Sequence, residues 1–193
     1  YHHRTGSMTE RFYRFAGVEL ALEIPEERMF EEERTLAASR TDRVEDPHRF
    51  HFEMVDELSP PPGPQIAEYP GGRVYAGEDG CVRFIGSVQQ DWASGYIRAT
   101  HRGKEHLVEL KQSQYPGRIG TKTVLNAMGA EHLVVEAGGV IFHSSYIRWN
   151  GRGILFTAPS ETGKSTQADL WHALRGAEIV NGDRSAMRIV DGS

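Results

Sequence analysis

Three groups of residues in this sequence could do chemistry together. The first is the run Ala158-Pro159-Ser160-Glu161-Thr162-Gly163-Lys164-Ser165, followed by Thr166. It departs from the phosphate-loop pattern G-x-x-x-x-G-K-[ST] only at its first position, where Ala158 replaces glycine. Such a run binds anions. The backbone N–H groups of Ser160 to Ser165 can turn inward as a nest at a helix N-terminus. Gly163 lets the backbone approach a phosphate closely. Lys164 would neutralise terminal phosphates, the Ser165 hydroxyl would ligate Mg²⁺, and Thr166 could touch the α-phosphate. The same residues also suit a Ser/Thr-rich helix cap with an exposed lysine.

The second group is Gly182-Asp183-Arg184, at the end of the apolar run "AEIVN" (177–181). A carboxylate at the C-terminal end of a strand beside a phosphate loop is where α/β folds place a magnesium ligand or a base. Taken alone, Asp183 reads as a turn residue. The third is His143 in "VIFHSSYIRW". It is either a hydrogen-bonded sheet histidine or an acid/base group near a transferred phosphoryl. His48, His51, His101, His106, His132 and His172 show no metal-ligand spacing and read as surface or packing residues.

The elements that must position these groups can be read from periodicity. Residues 154–157 are apolar and end at the loop. A helix pattern follows at 163–175 and stops at Gly176, so the loop sits between a strand and a helix, as anion binding requires. Residues 140–149 form a strand, turned back by Asn150-Gly151-Arg152-Gly153. Upstream, Val124, Leu125, Met128, Leu133 and Val134 give one helix stripe over 121–137, stopped by Gly138-Gly139. Earlier segments are strand-like at 15–24, 50–55, 73–77, 82–88, 96–101 and 106–111, with turn signals at 78–80 and 102–104. The last four predict an antiparallel meander. A short helix fits 25–34, with Pro25 at its first position. "SPPPGP" (59–64) can only be a loop or linker.

The chain of 193 residues suits one domain, or a small domain plus part of a larger one. "YHHRTGS" (1–7) reads as a purification-tag remnant, so His2 and His3 are set aside. Residues 8–117 are expected to form an antiparallel β-rich N-terminal domain, and 118–193 to begin an α/β nucleotide-type domain. A net charge of -5 gives no cationic face for nucleic acid. No apolar run approaches the roughly 20 residues of a membrane helix. Cys81 is the single cysteine, which excludes an internal disulfide and a Cys-based zinc site. A reducing cytoplasm is the natural expectation.

With these residues in order, the chain resembles the HPr kinase/phosphorylase family and, more distantly, the ATP-dependent phosphoenolpyruvate carboxykinases. In HPr kinases a histidine on a strand is followed by a hairpin, a strand ending in a phosphate loop, a helix and then Asp-Asp-Arg. Here the order is His143, the strand 154–157, Ser160 to Ser165, the helix to Arg175, then Gly182-Asp183-Arg184, over about residues 120 to 190. The resemblance implies an ATP- and Mg²⁺-dependent kinase acting on a hydroxyl, a serine of a protein or a peptide. By position, Ser160, Glu161, Thr162, Gly163, Lys164, Ser165 and Thr166 would bind the nucleotide. Ser165 and Asp183 would hold the metal. Asp183, His143 and Lys164 would serve catalysis. HPr kinases form rings of six, which implies self-association.

Five departures stand out. Ala158 replaces the first loop glycine, and Glu161 sits where HPr kinases usually carry another. Gly182 takes the place of the first aspartate, so one carboxylate must serve two roles. Segments that follow in the family are absent after Ser193, so the domain reads as truncated. The N-terminal region does not obviously match the family's regulatory domain. Two other functions fit the same residues. One is a nucleotide-binding sensor without turnover, and the other is an interaction module docking a peptide on the strand edges of the meander.

Overall fold

The computed structural model describes residues 7–25, 30–86 and 91–192. The tag remnant thus lies, apart from Ser7, outside the described residues. The chain divides into two compact units, one of Tyr1–Arg14 with Val18–Ala130, the other of Phe15–Gly17 with Glu131–Ser193. No helix among the described residues is long and apolar enough to cross a membrane.

In chain order the first unit holds β1 (Thr9–Phe15), β2 (Val18–Ile24), β3 (Phe30–Glu31), α1 (Arg34–Ala37), β4 (Arg40–Thr41) and β5 (His48–Val55). There follow β6 (Gln65–Tyr69), β7 (Gly72–Gly77), β8 (Gly80–Gly86), β9 (Gly95–Arg102), β10 (Glu105–Lys111), β11 (Ile119–Gly120) and α2 (Thr121–Met128). Nine of these strands make one sheet in the order β4-β1-β2-β5-β10-β9-β8-β7-β6. β6 to β10 form the antiparallel meander that the turn signals imply. The sheet as a whole is mixed rather than antiparallel, because β5 runs parallel to both β10 and β2. Alternation reports which face a residue takes, not which way its neighbour runs, so this difference was invisible in the pattern.

Two more expectations are corrected. Of the strand expected over 15–24, residues 18–24 form β2, while Phe15 ends β1, its neighbour in the sheet. Ala16 and Gly17 both take positive φ, 47° and 80°, which is the two-residue turn that suits a hairpin. The short helix expected over 25–34 falls partly on residues 26–29, outside the described residues. Phe30, buried at 5% exposure, pairs instead with Ile119, and α1 begins only at Arg34. The last two residues of the strand expected at 82–88 also lie outside the described residues.

One face of the sheet is apolar. Leu20, Leu22, Phe50, Phe52, Ile97, Ala99, Val108 and Leu110 are all buried. α2 packs against β9 and buries Val124, Ala127 and Met128. The helix does not continue to 137 as one piece. Gly129 takes φ 69° and divides it. Arg83 of β8 donates to the carbonyls of Asn126 (2.9 Å) and Ala127 (3.2 Å), ending α2 with a cation at its negative pole. A Cβ at position 129 would come 2.8 Å from that guanidinium, so another residue there would combine a strained backbone with a shift of the Arg83 side chain.

The same guanidinium organises three histidines. Arg83 Nη1 lies 3.3 Å from His101 Nε2. His101 Nδ1 lies 2.9 Å from His106 Nδ1, and His106 Nε2 lies 2.9 Å from His48 Nδ1. Arginine can only donate, so His101 must accept at Nε2 and donate from Nδ1. His106 then accepts at Nδ1 and donates from Nε2 to His48. Its ring also stacks on Phe50, 4.1 Å between centroids. Burial, and then the neighbouring His48, pull the His106 pKa down to about 4.

This has a consequence for acid stability. Between pH 6.5 and about 4 the unfolded chain takes up a proton that folded His106 refuses. Stability is therefore full above pH 6.5 and falls through that window, by up to about 3 kcal/mol. Urea denaturation at pH 7.5 and pH 4.5 should show the loss in the wild type and a clearly smaller one in His106→Gln.

Candidate functional site

The second unit holds α3 (Ala130–Glu136), β12 (Gly139–Trp149), β13 (Arg152–Thr157), α4 (Lys164–Arg175), β14 (Glu178–Asn181) and β15 (Arg184–Arg188). β12 is central. Its second half pairs with β13, from Trp149 opposite Arg152 to Ser144 opposite Thr157. The connecting Asn150 and Gly151 both take positive φ, 48° and 73°, the tight hairpin that Asn-Gly favours. On its other edge β12 pairs antiparallel with β14 and then with β15. β13 and β14 are thus parallel to one another, joined by α4, with one antiparallel strand between them.

Packing fixes this arrangement. Ile147, Ala168 and Ala177 are buried together, with Trp149, Ile154, Phe156 and Trp171 around them. The small side chain of Ala168, in the second turn of α4, lets the helix sit close to the sheet. Trp149 meets Trp171 edge to face at 5.3 Å. Arg175 lies over both rings, 5.2 Å from Trp171 and 5.7 Å from Trp149. The apolar stripe of α4 therefore holds its C-terminal end against the sheet and leaves its N-terminal turn at the loop.

The ladder decides what meets at that end. Ser144 and Thr157 are the last pair between β12 and β13, so Ala158 opens the loop beside His143. On the opposite edge the Ser144 amide donates to the Asp183 carbonyl at 2.9 Å, and Arg184 stands opposite His143. The loop entrance and Asp183 thus flank one point of β12. Two strand spacings put their backbones roughly 10 Å apart. The partners jump from Tyr146–Asn181 to Ile147–Ile179, so Val180 is an extra residue, a bulge, in β14.

Of the candidate residues, His143 and Asp183 are brought into contact. His143 Nε2 lies 3.0 Å from Asp183 Oδ1, with side chains 52% and 77% exposed. Arg184 forms an ion pair with Glu131 of α3. Lys164 does not join this pair. Its Nζ donates to the carbonyls of Ala158 (2.9 Å) and Pro159 (3.1 Å), folding over the loop's own entrance. The Thr162 hydroxyl donates to the Pro159 carbonyl at 2.5 Å. Ser160, Glu161, Thr162, Ser165 and Thr166 are exposed.

The loop backbone explains one departure from the glycine pattern. Glu161 takes φ 63° and Gly163 takes φ 95°. Both positions use the left-handed region, where glycine is free and glutamate is strained. Gly163 caps α4 without a side-chain hydrogen bond, and the first turn carries no acidic residue. The first amides of α4 have no acceptor within the helix and no side-chain cap. Those donors, with the Lys164 ammonium, form a concentration of positive potential that an anion can satisfy. No group of three or more His, Cys, Asp or Glu among the described residues is gathered for a metal.

β15 and Asn181 were not foreseen. Asn181 Oδ1 accepts the amides of Asp183 (2.8 Å) and Arg184 (3.1 Å). The signal was present in Asn181-Gly182-Asp183, since asparagine before such a turn bonds its own backbone two residues on. Comparison with known protein families, with characterised proteins and with solved structures gives no match, so the site is read from its own geometry.

The geometry predicts how the loop responds to charge. Glu161→Gly removes both a strained backbone position and an anion from the loop. Isothermal titration should show inorganic tripolyphosphate binding about fivefold more tightly than to wild type at low salt. The gain should shrink as ionic strength rises.

Proposed function

We propose that this chain is an ATP-dependent phosphotransferase of the HPr kinase type, acting on a serine hydroxyl of a protein or peptide. The observation that carries this reading is the meeting at one point of β12. An anion-seeking loop stands on one edge, the Asp183 carboxylate on the other, and the His143 imidazole on β12 between them. Amides of 160–166 and Lys164 are the groups to hold a polyphosphate. Ser165 and Asp183 are the groups to hold Mg²⁺. One carboxylate and one hydroxyl suit that ion, which keeps several waters and leans on phosphate oxygens.

Mg-ATP, when bound, supplies the phosphoryl group and neutralises the charge that develops on it. The chain's own residues have simpler tasks. Asp183 accepts the proton of the attacking serine hydroxyl as its oxygen bonds to phosphorus and the bond to ADP breaks. His143, hydrogen-bonded to Asp183, restrains that carboxylate. Lys164 leaves the carbonyls of Ala158 and Pro159 for phosphate oxygens, a stronger charge-assisted bond.

A second reading, nucleotide binding without turnover, is favoured by Gly182, which leaves one carboxylate where the resemblance implies two. No heavy atom lies within 4 Å of where a Cβ at Gly182 would be, so sterics do not demand glycine there.

Two measurements separate the readings. In titration with Mg-ATP, Lys164→Ala should weaken binding by about tenfold or more. Equal affinity in both proteins removes the phosphate-loop role. With γ-labelled ATP, Asp183→Asn should cut phosphoryl transfer by about 10²–10⁴ while binding largely persists. A wild type that binds Mg-ATP and never turns it over belongs to the second reading.

A further inference from the structure

The carboxylate of Asp183 sits on an interruption, not on a regular strand. β14 ends at Asn181 and β15 begins at Arg184. Between them Gly182 and Asp183 lack regular ladder partners. A carboxylate on such an edge would ordinarily wander, because neither its backbone nor its side chain is fixed by the sheet. Here the Asp183 peptide is held from two directions. Its carbonyl accepts from the Ser144 amide at 2.9 Å. Its amide donates to Asn181 Oδ1 at 2.8 Å, and the same oxygen takes the Arg184 amide at 3.1 Å. Gly182 adds no side chain to restrain anything, and its carbonyl takes the long contact of the Ser145 hydroxyl at 3.5 Å.

We infer that Asn181 is a positioning residue, whose side-chain oxygen fixes the backbone of Asp183 so that its carboxylate meets His143. This rests on Asp183 being the working carboxylate of the proposed site, but the placement itself can be read without any nucleotide. The hydrogen bonds of the Asn181 side chain go to the Asp183 and Arg184 amides, so its effect passes through Asp183. Asparagine is suited to the task because its oxygen reaches the amide two residues on, closing a small ring that a longer side chain cannot close.

The experiment compares Asn181→Ala, Asn181→Gln and Asn181→Asp with Asp183→Asn as reference, all in the full chain at one fixed pH. The first readout is the ¹H–¹⁵N spectrum of the histidine rings. Asn181→Ala and Asn181→Gln should move the His143 Nε2 signal to where Asp183→Asn moves it. Asn181→Asp keeps the accepting oxygen and should leave the signal near its wild-type position. Should Asn181→Ala lose its fold, Asn181→Gln, which keeps the amide but misplaces it, carries the comparison. The second readout is kinetic. Both disruptive variants should lower kcat at least tenfold with the Mg-ATP dissociation constant within twofold, and Asn181→Asp should recover most of it.

A His143 signal that stays at its wild-type position in the folded Gln variant, or one that Asp183→Asn itself does not move, overturns the inference. A wild type without turnover overturns the phosphotransferase reading and leaves the ring spectrum to decide on Asn181.

Discussion

The site depends on the position of one buried residue, Ser144, between two edges. It stands opposite Thr157 on one side and binds the carbonyl of Asp183 on the other. Everything chemical in the second unit is measured from that point. The loop starts one residue past Thr157, the imidazole lies one residue before Ser144, and the carboxylate belongs to the residue that Ser144 holds. A serine fits here because the position is fully buried and leaves no room for a larger side chain without displacing its neighbours.

Order and openness are divided between the two halves of β12. From Ile147 onward the strand belongs to a packed cluster of tryptophans, isoleucine and alanine, which sets the axis of α4. From His143 backward its residues are more exposed. The first half can present polar groups because the second half supplies the burial. The first unit shows the same division differently. There Arg83 ties a helix end to a chain of imidazoles, so a polar network rather than an apolar one closes that edge of the core.

How much of this was legible in the sequence differs from element to element. The loop, its strand and its helix could be placed because apolar period, glycine and lysine all point to one local arrangement. His143 and Asp183 could be proposed together because each lies a short, regular distance from that loop along the chain. Their contact could not, since it depends on β15, and "RSAMR" carries no clear alternation. Nor could the parallel course of β5, which depends on neighbours far away in sequence. The break at Gly129 was hidden because Arg83, more than forty residues earlier, creates the demand for it. Ala16 disguised a turn, because alanine seldom takes the left-handed backbone that it takes here. Glu161 disguised a loop position in the same way.

Val180 has a role that its own side chain does not reveal. In an unbroken ladder from Ile147–Ile179, Asp183 would stand directly opposite His143, and Arg184 would be one step further along on the reverse side. The added residue offsets the edge strand, so that Arg184 is the direct neighbour and Asp183 reaches the ring from the diagonal. A single supernumerary amino acid thereby decides which residue faces the imidazole across the ladder and which reaches it from the side, without contributing any charge.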